Sequence, residues 1–143
     1  LLASSKTFQL KEEKAKGIRF INSLEGNHRF VIIYLRDEKA KTDISGAIES
    51  FNNRFFKNEK LTITNVVFSE TYIVTYVSEF SDRATSMGYL AKFIVQSPLD
   101  NTLANYKFDT FVMTPENFDI FYRTKALDEY LTFFDRNYKK EIQ

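Results

Sequence analysis

The sequence predicts an α+β fold: one four-stranded antiparallel sheet, two helices packed on it and additional C-terminal helices. Residues 29–35, RFVIIYL, form a near-continuous apolar run, which is typical of a central strand covered on both faces. Residues 61–68 and 72–80 alternate between apolar and polar side chains and are separated only by SET, which indicates a β-hairpin. Apolar residues at helical spacing lie before the hairpin and again after it.

The first helix is predicted to follow the first strand after a polar loop, RDEKAKT. Asp43 has the side chain of an N-cap and opens the segment DISGAIESFNNRFF. A buried stripe at helical spacing is predicted within it, made by Ile44, Ala47, Ile48, Phe51 and Phe55. We expect Ile48, Phe51 and Phe55 to pack against the inner faces of strands one and three.

A second helix is predicted to start directly after the hairpin. Asp82 is its N-cap and Pro98 ends it. Its apolar positions are Ala84, Met87, Leu90, Ala91 and Ile94. At the corner before the helix, Phe80 is predicted to be a core residue, and the alternation of strand three places Tyr72, Tyr76 and Phe80 on one face of the sheet.

The fourth strand is predicted at 106–114, YKFDTFVMT, and two helices follow it. Thr114 is the predicted N-cap of the first, with Pro115 at its first position. The second, ALDEYLTFFDRNY, has one apolar side formed by Leu127, Tyr130, Leu131 and Phe134. Because strands one and four are apolar on both faces, something must cover the second face. The C-terminal helices are the nearest candidate, and a partner protein is the other.

The element order is therefore β-α-β-β-α-β with a C-terminal helical extension, which is the ferredoxin-like split βαβ arrangement. We expect residues 1–27 to be a lead-in or linker and residues 28–143 to form a single domain. The chain opens with LLASSKTF, which is not the pattern of a signal peptide, so we expect it to be a piece of a longer protein.

Composition and motifs favour a protein that is not an enzyme and has no cofactor or bound metal. The chain has no Cys and a single His, His28, so no nucleophile, base and orienting group can be assembled around it. The four glycines never cluster into a loop that could hold phosphate. The carboxylate pairs, such as Glu12-Glu13 and Asp128-Glu129, are adjacent in sequence and do not face each other across a substrate.

Nucleic acid and a membrane span are not expected as partners. The net charge is +1 with both signs interspersed, and no apolar run approaches the roughly 18 residues needed to span a bilayer. The ferredoxin-like order also occurs in RNA-binding domains, but YIVTYVSEF lacks the basic residue and glycine of their third strand. With 15 Phe and 8 Tyr in one small domain, most aromatic residues are expected in the core.

Residues 72–93, YIVTYVSEFSDRATSMGYLAKF, resemble the second half of a SPOR domain, in which a strand ends in Phe before a polar turn and a helix. SPOR domains share the predicted element order and bind peptidoglycan glycan strands on the sheet. The resemblance implies a SPOR-like core and peptidoglycan as a candidate partner. Glu79 stands where SPOR domains usually have glycine, and this difference favours a function other than glycan binding.

A second resemblance covers residues from about 28 to 138 and is most specific at SFNNRFF, FVMTPENF and LDEYLTFFDRNY. These segments resemble the C-terminal domain of tetratricopeptide-repeat lipoproteins of the SprE/PorW type, which serve gliding motility and type IX secretion in Bacteroidota. The resemblance implies a non-enzymatic periplasmic component associated with the outer membrane. Its partners would be other secretion and motility machinery proteins, and its role would be to support protein export.

Two functions therefore remain open: a protein-interaction module of a secretion or motility assembly, and a peptidoglycan-binding module. For the first, the candidate contacts are aromatic and charged residues expected to be exposed on the C-terminal helices, namely Tyr122, Arg123, Tyr130 and Arg136. Aromatic and Arg residues are the types that most often anchor protein interfaces. For the second, the corner formed by Glu79 and Asp82 is a candidate glycan contact, although we expect Ser81-Asp82 to be a capped turn rather than a glycan site.

Overall fold

The computed structural model describes residues 18–99 and 107–139. Within them lie four strands and four helices, in the order β1 His28–Leu35, α1 Glu38–Phe55, β2 Thr62–Val67, β3 Tyr72–Phe80, α2 Arg83–Gln96, β4 Phe108–Met113, α3 Pro115–Thr124 and α4 Leu127–Asn137. Residues 1–17 of the predicted lead-in and residue 106 of the predicted fourth strand lie outside the described residues.

The four strands form one antiparallel sheet in the order β2-β3-β1-β4. The apolar run of β1 lies at the centre of this sheet, where residues 30–34 are buried. A strand with partners on both edges and helices on both faces needs apolar side chains in both directions. The α+β class and the ferredoxin-like order predicted from the sequence are confirmed.

Helices α1 and α2 cover the first face of the sheet with a cluster of aromatic rings. The ring of Phe30 from β1 lies 4.9 Å from that of Tyr89 and 4.8 Å from that of Phe93, both on α2. Phe51 of α1 contacts the same two rings, each at 5.3 Å between centroids. The predicted stripe of α1 therefore packs on the core, with Phe55 only partly buried at its end.

Helices α3 and α4 cover much of the second face, as the two-sided apolar pattern predicted. Phe111 of β4 contacts Phe121 of α3 at 5.7 Å and Tyr130 of α4 at 5.2 Å. Phe68, just after β2, stacks on Phe121 at 4.7 Å. The buried side of α4 also includes Phe134. The C-terminal helices of the chain thus cover much of the face for which a partner protein was the other candidate.

The start of α1 differs from the prediction. Asp37 is the N-cap, with its side chain accepting from the backbone N–H of Lys39, and the helix begins at Glu38 rather than after Asp43. Asp43 lies inside the helix and pairs with Lys39 one turn earlier, 2.7 Å away. The predicted loop is helical because Ala40 extends the buried stripe of Ile44 and Ile48 by one turn.

The apolar side of α2 is also rotated from the predicted one. Met87 and Leu90 are buried as expected, but Ala84 is exposed and Ile94 is about half exposed. The buried side is instead centred on Ser86, Tyr89 and Phe93, since the two large rings fill the space above β1. Asp82 is the N-cap as predicted, accepting a 2.7 Å hydrogen bond from the Thr85 backbone N–H. Hydrogen bonding from the Thr85 side chain, together with this backbone bond, lowers the pKa of the Asp82 carboxyl.

Phe80 is buried at the strand–helix corner as predicted, but it does not share a face with Tyr72 and Tyr76. The register of β1 against β3 shifts by one residue near the end of the pair, so that His28 lies opposite Phe80. One extra residue in a strand reverses the alternation beyond it. The Phe80 ring therefore packs against Tyr89 on the first face, at 5.0 Å.

The N-cap predicted for α3 and the apolar side predicted for α4 are confirmed. Thr114 caps α3 by accepting from the Asn117 backbone N–H at 3.0 Å, with Pro115 at the first helical position. Tyr130 and Phe134 form the buried side of α4, and Leu127 and Leu131 pack against the core beside them.

The segment before β1 docks against α3 and α4. Phe20 contacts the Tyr130 ring edge-on at 4.9 Å, and the backbone of Ile21 makes two hydrogen bonds with the Asn117 side chain, of 2.9 and 2.8 Å. The part of the lead-in that the structure describes is therefore held on the domain.

Candidate interaction surfaces

The four candidate contacts predicted on the C-terminal helices have different environments. Arg123 and Arg136 are exposed and Tyr122 is partly exposed. Tyr130 is fully buried, so the expectation that it is exposed is wrong. Its hydroxyl donates to the carbonyl of Val112 in β4 at 2.6 Å, and burial raises the pKa of its phenol. Tyr130 therefore holds α4 on the sheet and is not available to a partner.

Tyr122 and Arg123 are next to each other but take part in different contacts. The Tyr122 ring stacks on Phe118 of the same helix at 6.3 Å, and the ammonium of Lys125 lies 3.8 Å above it. Its hydroxyl donates to the carbonyl of Val67 at 3.3 Å. The Arg123 guanidinium pairs with Asp119 at 3.2 Å, and both side chains are well exposed. An exposed pair of this kind contributes little to stability, so Arg123 can exchange it for a partner's carboxylate at small cost.

Tyr122 and Arg136 lie near opposite ends of the domain. Tyr122 touches the end of β2, beside the turn into β3, whereas Asn137, next to Arg136, accepts a hydrogen bond from Arg83 beyond the other end of β3. Strand β3 has nine residues, and at about 3.3 Å per residue this separates the two ends by roughly 25 Å. The predicted residues therefore do not form one compact site.

A buried polar cluster ties α2 to the segment before β1 and to the residues that follow α4. The Arg83 guanidinium lies 3.8 Å from the centre of the Tyr138 ring and donates to the side chain of Asn22 at 2.8 Å. The Nδ1–H of His28 donates to the Gly26 carbonyl at 2.9 Å, and the Nε2 of its ring lies 3.0 Å from the Tyr138 hydroxyl. Burial, together with the nearby Arg83 charge, lowers the pKa of His28. The single histidine is thus part of a packed structural cluster.

The buried hydroxyl groups are likewise bound to neighbours within the core. Tyr34 and Thr75 are 2.7 Å apart, and Thr75 donates to the side chain of Asn65 at 2.6 Å. Tyr89 donates to the Asn52 side chain at 2.6 Å. Burial raises the pKa of both tyrosines, which keeps their hydroxyl groups protonated. Among the described residues, no group of three or more His, Cys, Asp or Glu side chains could hold a metal ion.

Arg29 marks a polar strip of the second face that α3 and α4 leave partly uncovered. Its guanidinium lies 4.5 Å from the centre of the Tyr76 ring and 5.1 Å from that of Phe118. Its Nε is buried and has no hydrogen-bond partner in the part of the chain that the structure describes. The rest of the strip consists of partly or fully exposed hydroxyl groups on β2 and β3, those of Thr62, Thr64 and Ser78. Sequence reasoning missed Arg29, because the two rings that hold it come from distant segments.

A second polar surface is a groove between α1 and β2, with a volume of about 360 Å³. We call it the α1–β2 groove. Polar side chains dominate its wall, and two aliphatic side chains of the β2 segment complete it; the lining residues are Ser45, Glu49, Asn52, Asn53, Leu61, Ile63 and Asn65. The segment SFNNRFF, one of those that carry the second family resemblance, supplies Asn52 and Asn53 to this groove.

A smaller apolar cavity of about 200 Å³ lies between the end of α2 and β4. Phe93, Ile94 and Phe108 are among its lining residues, and the neighbouring Val95 is exposed. Residues 100–106, which connect these two elements, lie outside the described part of the chain.

No family model, curated protein or solved structure matches the chain. The class of protein is thus defined by the fold, a ferredoxin-like α+β domain whose second sheet face is largely covered by its own C-terminal helices. None of the helices within residues 18–99 and 107–139 is long and apolar enough to cross a membrane.

Proposed function

We propose that the chain is a non-enzymatic protein-interaction module of an outer-membrane-associated periplasmic component of the type IX secretion and gliding-motility machinery. In this role it supports protein export by binding other machinery proteins. The choice of this machinery rests on the resemblance of SFNNRFF, FVMTPENF and LDEYLTFFDRNY. The observation that favours protein contacts over glycan is the packing of α3 and α4 on the second face of the sheet through Phe111, Phe121 and Tyr130. These helices occupy surface that a SPOR-like domain uses for glycan, and they present Arg123 and Arg136 outward.

The chemistry of the described residues also favours binding over catalysis. The groups with raised pKa values, Tyr34, Tyr89 and Tyr130, are buried hydroxyls that hydrogen-bond to core neighbours. His28, the only histidine, lies inside a packed cluster with Tyr138. Perturbed groups that face a cleft are the usual sign of a catalytic site, whereas these groups face the core.

One observation favours peptidoglycan binding as the alternative. The strip around Arg29 combines an aromatic ring, that of Tyr76, with the hydroxyl groups of Thr62, Thr64 and Ser78 on the face that SPOR domains use. Rings and hydroxyl groups are suitable contacts for a sugar. Under this alternative the glycan would lie along the β2 side of the face, from Thr64 to Ser78, which adjoins the corner at Glu79.

Two measurements decide between the functions. A photo-crosslinking amino acid is placed at Arg123 or Arg136 in the full-length protein in cells, with exposed Thr85 on α2 as the control position. We expect covalent adducts with machinery proteins from the first two positions and none from Thr85. We also expect the purified domain to stay in the supernatant when isolated peptidoglycan is sedimented.

The opposite pattern contradicts the proposal. Sedimentation of the domain with peptidoglycan, weakened by Thr64→Lys or Arg29→Gln but not by Arg123→Gln, would establish the glycan alternative. Equal adducts from Arg123, Arg136 and Thr85 would show that α3 and α4 have no specific partner.

A further inference from the structure

We propose that the α1–β2 groove binds an extended peptide segment of a partner protein, which pairs as a fifth strand with the outer edge of β2. The inference goes beyond the proposed function, because the groove and the surface of α3 and α4 are on opposite faces of the sheet. It applies whichever assembly the domain serves. Peptides that add a strand to an exposed sheet edge gain affinity from main-chain hydrogen bonds and specificity from pockets for alternate side chains.

The main-chain groups that face outward from β2 follow from the register of the hairpin. The backbone N–H of Phe68 donates to the carbonyl of Tyr72 at 3.0 Å, so these two residues form a hydrogen-bonded pair. Bonded and non-bonded pairs alternate along an antiparallel ladder, and the register runs without interruption. The even-numbered residues of β2 therefore bond to β3, and Ile63 and Asn65 point their N–H and C=O groups outward.

The available edge has a defined end. Val67 is the next outward-facing residue, and the Tyr122 hydroxyl already donates to its carbonyl at 3.3 Å. Between Leu61 and Asn65 no other strand among the described residues pairs with this edge. That stretch spans roughly 13 Å at about 3.3 Å per residue, which matches a partner strand of about four residues.

Strand β2 lacks the features that usually protect an edge strand from pairing. Edge strands in native proteins commonly carry Lys, Pro or inward-facing charges, or are interrupted by a bulge. The sequence of β2, TITNVV, contains no charged residue and no Pro, and its register with β3 is regular. The other edge strand, β4, carries Asp109. The unprotected edge is therefore the one that borders the groove.

The groove also offers the incoming peptide a hydrogen-bond donor that is unpartnered within the described part of the chain, on a residue that is otherwise buried. Asn52 is only 8% exposed and lines the groove. Its side-chain Oδ1 accepts from the Tyr89 hydroxyl, whereas its Nδ2 has no partner among the residues described. Ser45 of α1 and Asn65 of β2, which also line the groove, bond to each other at 3.2 Å. A peptide side chain that points towards α1 would thus meet Asn52, which favours a polar side chain with an acceptor oxygen.

The test begins with a phage-displayed library of random 12-residue peptides selected on the purified chain. Selected peptides are synthesised, and amide hydrogen exchange of the chain is followed by NMR with and without peptide. We expect exchange to slow at least tenfold at the outward-facing amides of Ile63 and Asn65. The amide of Thr64, which already bonds to β3, is the internal control and should change much less.

Two variants locate the binding site. Ile63→Pro removes an outward N–H, a change that an edge strand tolerates because no ladder hydrogen bond is lost, and it should weaken peptide binding at least tenfold. Asn52→Asp keeps the acceptor for Tyr89 but removes the Nδ2 donor, so it should weaken binding while the domain remains folded. Thr64→Lys alters the opposite face of the same strand and should leave binding unchanged.

Several results would overturn the inference. These are the selection of no peptide, peptides that bind the Ile63→Pro and Asn52→Asp chains as tightly as the original, and unchanged exchange at Ile63 and Asn65. Protection of these amides that rises with protein concentration in the absence of peptide would show that a second copy of the chain occupies the edge. Crosslinking from α3 and α4 has no bearing on these measurements, so this inference and the proposed function can fail separately.

Discussion

Truncating Phe51 to alanine tests how the first face of the sheet is held together. The Phe51 side chain is 3% exposed and belongs to the stripe predicted from the spacing of α1. Its ring lies 5.3 Å from the rings of both Tyr89 and Phe93 and 5.7 Å from that of Phe56. Tyr89 and Phe93 belong to α2, whereas Phe56 directly follows α1. Because these rings are attached to different segments and pack against one another, they can move only partly into the space left by the substitution.

The expected loss follows from the burial and the cavity. Removing the ring forfeits about 2 kcal/mol of transfer free energy. A residual cavity of roughly 80 Å³ adds about 2 kcal/mol at about 24 cal/mol per Å³. The free energy of unfolding should therefore fall by about 4 kcal/mol for Phe51→Ala. For a chain of 143 residues, this corresponds to a fall in Tm of about 12–16 °C, at about 3–4 °C per kcal/mol.

Thermal and urea unfolding followed by circular dichroism provide the measurement. Val95→Ala is the matched control, since it also truncates an apolar side chain of a helix but one that is 74% exposed. We expect the control to change the free energy of unfolding by no more than about 0.5 kcal/mol. If Phe51→Ala costs no more than Val95→Ala, the aromatic cluster does not stabilise the first face and the packing argument is wrong.

Two further predictions concern His28 and Tyr130. Burial lowers the pKa of His28, so as the pH falls the unfolded chain takes up a proton on this residue before the folded chain does. The free energy of unfolding should therefore fall as the pH drops below about 6.5, by at most about 1.4 kcal/mol per pH unit. Urea unfolding between pH 5 and 8 measures this slope, and His28→Gln should flatten it. Tyr130→Phe removes the hydroxyl that bonds to Val112 and should cost about 1 kcal/mol of unfolding free energy in the same assay at pH 7.5.

Each of these predictions has a result that contradicts it. Since His28 is the only histidine, a slope that survives His28→Gln would have to come from other groups, and the assignment would fail. For Tyr130→Phe, unchanged stability would mean that the Val112 carbonyl is equally well satisfied without the hydroxyl. The result for Tyr130→Phe would also weaken the description of α4 as tied to the sheet.

Most of the fold could be predicted from local features of the sequence. The caps at Asp82 and Thr114 depend on a side chain and a backbone N–H three residues away, so the sequence contains both partners. Ala40 was overlooked in the prediction of α1 because it is small and stands among charged residues. In α2 the prediction placed Ala84 and Ile94 on the apolar side, whereas the tertiary packing of Tyr89 and Phe93 rotates the helix so that both are exposed.

The candidate surfaces were predicted much less well. Arg123 and Arg136 are exposed as expected, but the same helix spacing that placed Tyr130 on the apolar side of α4 should have excluded it as a contact. Amphipathic spacing separates buried from exposed positions, and a residue cannot belong to both sets. The α1–β2 groove had no sequence signal of its own, since Asn52 becomes a groove residue only when β2 is placed beside α1.

The sequence by itself determined the order of the strands and helices, the hairpin, the central place of β1 and the covering of both sheet faces. These follow from side-chain periodicity and capping, which act over a few residues. Only the tertiary structure decided the face of Phe80, the stacking of Arg29 on Tyr76 and Phe118, and the outward amides of β2. Such features depend on strand register and on contacts between distant segments, and a shift of one residue in register reverses them.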